Sequence, residues 1–110
     1  MLIEIIIDKS SETIQIDEAF KLDLEALVAR FEKFAEMHNA DISSLNFRGL
    51  VPKMVRGIMG CERGCPADAK DLISKGYQGF KLQYIEGGIL TAKAVASDSR
   101  PVSIKMFPDF

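Results

Sequence analysis

Apolar residues open the chain almost without interruption, with Leu2, Ile3, Ile5, Ile6 and Ile7 broken only by Glu4. Such β-branched density predicts a strand. Asp8-Lys9-Ser10-Ser11 is polar and predicts a turn. Thr13 to Ile16 alternates, with Ile14 and Ile16 on one side, and predicts the returning strand of a hairpin. The period then lengthens. Leu24, Leu27, Val28, Phe31, Phe34 and Ala35 fall on one stripe of a 3.6-residue repeat, which predicts an amphipathic helix. Asp23 suits its N-cap, with an earlier start near Asp17 as the competing boundary, and Asn39 suits its stop.

A second helical stripe follows from Leu50 to Ile58, carried by Leu50, Val51, Met54, Val55 and Ile58, with Pro52 in its first turn. A third helix is expected over 66–75, with Pro66 at its first position and Gly76 just past its end. The remainder alternates with period two. Phe80, Leu82 and Tyr84 predict one strand, Leu90, Ala92, Ala94 and Ala96 a second, and Val102, Ile104 and Met106 a third. Gly87-Gly88 reads as a two-residue turn between the first two. The alanines leave a small-residue sheet face on which a helix can pack closely. The order ββαααβββ predicts an α+β domain, with an antiparallel sheet of about five strands and two to three helices mainly on one face. The opening hairpin followed by a helix also resembles the start of a ubiquitin-like β-grasp fold.

Length and composition narrow the picture without changing it. With 110 residues, 47% hydrophobic and 27% charged, the chain reads as one globular domain over 1–110. The formal net charge of −2 argues against a nucleic-acid binder. The charge is uneven, net −6 over residues 1–41 and net +4 over 42–110. The two parts could attract one another in the fold or leave a basic patch for an anionic partner. No apolar run approaches the roughly 20 residues of a membrane helix. The start lacks the pattern of a secretion signal. The expectation is therefore a cytoplasmic protein with reduced thiols.

The unusual chemistry lies in Gly60-Cys61-Glu62-Arg63-Gly64-Cys65-Pro66. A Cys65 thiol at a helix N-cap would face orphan N–H groups and the positive end of the dipole, which favours thiolate. Gly60 and Gly64 permit the loop to curl and bring Cys61 and Cys65 together. Cys61-x-x-x-Cys65-Pro66 resembles the end of the bacterial ferredoxin run, which implies a pair of ligands for a metal ion or an iron–sulfur cluster. The resemblance covers about a dozen residues. The two earlier cysteines of that run would fall at Val55 and Ile58, and the third cysteine of a C-x3-C-x2-C run would fall at Asp68. Two thiolates do not complete a cluster, so the reading requires a homodimer or a partner to supply the rest. A dithiol–disulfide redox pair and a purely structural loop are the competing readings of the same segment.

A second candidate is basic. Arg48, Lys53, Arg56 and Arg63 cluster in sequence and suggest a patch for phosphate, nucleic acid or an acidic protein partner, or simply a solvated helix surface. His38 is the single histidine, which excludes a Cys2His2 zinc site, and it is expected to face solvent at a helix end. The phosphate-cradling, dinucleotide-binding, zinc-protease and nucleophile-elbow motifs are all absent from the sequence.

Overall fold

The computed structural model describes residues 2–15, 24–59, 67–85 and 88–107. Their elements are β1 (Leu2–Ile7), β2 (Ser10–Gln15), α1 (Leu24–Met37), α2 (Phe47–Met59), α3 (Ala67–Lys75), β3 (Lys81–Ile85), β4 (Ile89–Val95) and β5 (Pro101–Phe107). This is the ββαααβββ order that the hydrophobic pattern predicts. The sheet has five strands in the order β2-β1-β5-β4-β3, and every neighbouring pair is antiparallel. The C-terminal strand β5 lies at the centre and joins the opening hairpin to the closing meander. The helices carry the chain from one edge strand, β2, to the other, β3.

Register explains which strand residues form the core. Ile5 faces Ile104 across β1 and β5, Ile104 faces Ala92, and Ala92 faces Leu82. Directly opposed residues share a face, so this row and its neighbours line one side of the sheet. Ile3, Ile5, Ile7, Leu90, Ala92, Val102, Ile104 and Met106 are all buried there. The helical stripes close over them. Leu27, Val28 and Phe31 of α1 and Leu50, Val51 and Met54 of α2 join the same core. The helix α2 packs on α1, α3, β4 and β5, whereas α3 rests on α2 and β3. Three rings tie the layers together. Phe31 meets Phe47 at 6.3 Å between centroids, and Phe47 meets Phe80 edge-on at 5.6 Å. Burying each such side chain contributes about 1.5–3 kcal/mol.

Several boundaries differ from those the sequence predicts. The first hairpin turns through Asp8 and Lys9 alone, because Ile7 pairs with Ser10, so β2 starts before Thr13. The helix α2 starts at Phe47 instead of Leu50, because Asn46 caps it by accepting from the Gly49 N–H at 3.0 Å. Pro52 therefore lies inside the helix, not in its first turn, and the Arg48 carbonyl loses the N–H it would otherwise bind. Ile85 pairs with Ile89, so three residues and not two connect β3 to β4. Asp23, Ile16 and Gly87 lie outside the described residues.

The ends of α1 and α3 behave as their sequences predict. Asn39 adopts φ 54°, the Ala40 N–H donates to the Ala35 carbonyl, and the Asn39 N–H donates to the Glu36 carbonyl. That pair of bonds is a Schellman ending. Gly76 stops α3 at φ 70°, and a Cβ there would stand 2.7 Å from the Phe80 carbonyl oxygen. The chain then reverses through Gln78 and Gly79, both at positive φ, with Tyr77 and Phe80 exchanging backbone hydrogen bonds of 3.0 and 2.9 Å. Positive φ at both central residues is the type I′ geometry that feeds a strand pair.

Candidate functional site

The basic residues predicted to act together are divided by α2. Arg48 points toward α1, where its guanidinium lies 3.4 Å from Glu32 and 3.8 Å from Glu25. Lys53 is five residues on, about 140° around the helix from Arg48. Lys53 and Arg56, three residues apart, share the flank that faces α3. Both are exposed and border a hollow of about 230 Å³ that Asp71 and Leu72 also line among the described residues. Asp71 is paired within its own helix, to Lys75 at 3.0 Å. Among the described residues neither Lys53 nor Arg56 has a carboxylate within ion-pair distance. The Arg56 Nε instead donates to the Pro52 carbonyl at 3.3 Å.

Lys53 is held from below by an aromatic ring. Its Nζ lies 5.3 Å from the centroid of Tyr77, within cation–π reach. Tyr77 reaches that position because α2 has no side chain at Gly49. A Cβ on Gly49 would fall 1.9 Å from the Tyr77 hydroxyl and 2.9 Å from the Asn46 side-chain amide. Gly49, Lys53 and Tyr77 thus form one unit in which a glycine on the helix admits the ring that orients the lysine. Sequence reasoning missed Gly49 and Tyr77. The signal was there only as a glycine where helix propensity argues for another residue.

A second polar cluster, also missed, gathers where α1 ends against the β4–β5 turn. Arg100 donates from Nη1 to the His38 carbonyl at 2.5 Å and from Nη2 to the Asn39 carbonyl, covering the carbonyl end of α1. A cation there also meets the negative end of the helix dipole. Asp98 holds Arg100 in place, with the Arg100 Nη2 at 2.7 Å and Nε at 2.9 Å from its Oδ2. The hydrogen bond from Arg100 lowers the Asp98 pKa below its ordinary value, and the same bond raises that of Arg100. Asp41 closes the cluster. Its carbonyl accepts from the Ser97 N–H at 2.9 Å, and its Oδ1 accepts from the Ser43 N–H at 3.1 Å. The Ser43 hydrogen bonds lower the Asp41 pKa as well. Every strong donor and acceptor here is directed at its own chain, so the cluster is a clasp.

His38 is half-buried, with its ring 4.5 Å from that of Phe34 in an edge-on contact. It serves the clasp through its carbonyl. Cys61, Cys65, Arg63, Gly60, Gly64 and Pro66 lie outside the described residues, between the end of α2 and the start of α3. Among the described residues no group of three or more His, Cys, Asp or Glu converges as a metal site. No described helix is long and apolar enough to cross a membrane. Comparison of the chain with protein families, curated proteins and solved structures finds no match in any of the three.

Proposed function

We propose that this protein is a small interaction module that engages an acidic protein partner through the face shared by α2 and α3. One observation carries this reading: Lys53 and Arg56 are exposed and side by side, and no carboxylate among the described residues neutralises them. The other arginines of the described chain that lie near acids are engaged, Arg30 with Glu12, Arg48 with Glu32 and Arg100 with Asp98. A fixed lysine loses less freedom on binding than a mobile one, and Tyr77 supplies that fixation. Leu72 adds an apolar contact at the floor of the hollow. The test is binding of a soluble acidic peptide, poly-glutamate, to the full chain at rising salt. The expected result is affinity that falls with ionic strength and is lost in Lys53→Glu/Arg56→Glu. Equal affinity of that variant and the natural chain overturns the reading.

A second reading is that Cys61 and Cys65 ligate a metal ion or an iron–sulfur cluster shared across a homodimer. Its support is the punctuation of the helices. α2 ends at Met59 and α3 begins at Ala67, so both thiols belong to one short connection. Anaerobic purification with iron and sulfide assays tests it. The reading predicts visible absorbance that disappears in Cys61→Ala/Cys65→Ala. Colourless, iron-free and zinc-free protein removes it.

A further inference from the structure

The helices cover one side of the sheet, and the other side carries lysine rows between an apolar row at one end and the exposed Pro101 and Val95 at the other, a surface that neither reading above uses. Its composition follows from register. Leu2 faces Phe107 across β1 and β5, and Ile89 precedes Leu90, the partner of Met106, so these three apolar residues form a row at one end. All three are half-exposed. Two residues further along the strands lie Glu4, Lys105, Thr91 and Gln83, and two further still lie Ile6, Ser103, Lys93 and Lys81. Successive rows are about 7 Å apart.

Lys81 and Lys93 are the anomaly of this surface. They face one another directly across β3 and β4, and both are exposed. Like charges in that position destabilise a strand pair. Among the described residues neither has an ion-pair partner. An anionic group seated over them removes the repulsion. Lys105 adds a third positive charge on the same face, with Glu4 the one acid opposite it. A ligand made only of phosphates leaves the Leu2–Phe107–Ile89 row unsatisfied. Single-stranded nucleic acid needs several stacking rings, and Phe107 is the one ring of this surface among the described residues. A second copy brings three lysines and, among the described residues of this face, Glu4 alone as an acid to meet them.

We propose that the outer face of the sheet is a docking surface for an acidic amphipathic helix of a partner protein. A helix lying across the strands sets its apolar stripe on Leu2, Phe107 and Ile89. A helix about 10–12 Å across, seated over that row, turns its acidic flank toward Lys105, one row away, and extends its glutamates toward Lys81 and Lys93, two rows away. This surface is on the opposite side of the sheet from Lys53 and Arg56, so its success or failure is independent of theirs.

The experiment titrates the full chain, by NMR, with a synthetic amphipathic helical peptide that carries leucines on one face and glutamates on the flank. Expected are shifts at Leu2, Ile89, Phe107 and Lys93, and at least tenfold weaker binding to Lys81→Glu/Lys93→Glu. Lys53→Glu/Arg56→Glu is expected to bind this peptide as the natural chain does. The proposal is overturned if the peptide shifts only α2 and α3, or if Lys81→Glu/Lys93→Glu binds equally. It is also overturned if a control peptide with lysine in place of glutamate binds as well. Co-sedimentation with phosphatidylserine vesicles without peptide binding would assign the face to a lipid surface instead. Concentration-dependent dimers abolished by Phe107→Lys would assign it to a second copy.

Discussion

Arg100 directs its guanidinium at the two carbonyls just past the end of α1 and at the Asp98 carboxylate of its own chain, whereas Lys53 and Arg56 meet no carboxylate among the described residues. The two regions are made from the same kinds of residue, a base beside a helix with an acid nearby. In the clasp, the acid lies two residues away in a tight turn and the acceptors are the carbonyls of the two residues that follow α1. On the α2–α3 face, the nearby Asp71 is already paired along its helix with Lys75. Partnering inside the fold, and not the number of charges, distinguishes a cation that holds the structure from one left exposed.

The comparison is broken most severely at the core on which both regions depend. Phe47 links α1, α2 and the entry to β3 through its contacts with Phe31 and Phe80. Phe47→Ala is expected to cost about 3–5 kcal/mol, measured as a lower urea midpoint, and to weaken clasp and binding face together. Arg100→Met acts on the clasp alone. It lowers the thermal midpoint while leaving poly-glutamate binding intact.

The clasp also carries a pH signature. The Asp98 pKa in the folded protein is depressed, so its contribution is complete above the ordinary carboxylate range and is lost as pH falls through the lowered value. The natural chain should therefore lose more stability than Asp98→Asn in urea titrations carried from about pH 5 down to about pH 2, across the carboxylate range. Equal losses would show that the clasp contributes nothing.

Smaller effects separate the two sides of the sheet. Thr91 is buried, 1% exposed, and its hydroxyl has no hydrogen-bond partner among the described residues. Register places Gln83 and Lys105 across from it and Ile89 and Lys93 two residues away on its own strand. Thr91→Val is expected to raise stability by up to about 1 kcal/mol, read from the urea midpoint at unchanged slope. The smallest change in stability belongs to Lys53→Ala/Arg56→Ala. Within about 0.5 kcal/mol it leaves the unfolding midpoint where it was, because both residues are exposed and make only a surface contact with Tyr77 and one long hydrogen bond to the Pro52 carbonyl. Poly-glutamate binding is the property it should remove.

The legible parts of the molecule were those in which neighbours along the chain decide. Ile3, Ile5 and Ile7 alternate, Leu50, Val51, Met54 and Val55 repeat with helical period, and both patterns are buried as written. The stops at Asn39 and Gly76 were readable because each requires a left-handed backbone that few residues adopt. The start of α2 was misread because Asn46 acts through a side-chain cap, and Pro52 looked like a better start signal than it is. Of the basic candidates, Lys53 and Arg56 come together on one flank while Arg48 turns to α1. Sequence proximity had grouped residues that a helix separates by angle.

By itself, the sequence determined which segments become strands and helices, which side of each is apolar, and where two of the helices end, since these depend on side chains a few residues apart. Only the tertiary structure decided that β5 sits between β1 and β4, that Arg100 closes the end of α1 from 61 residues away, and that Gly49 makes room for Tyr77 beneath Lys53. Those outcomes depend on contacts between distant segments, whose closure entropy is offset only when the whole core forms at once.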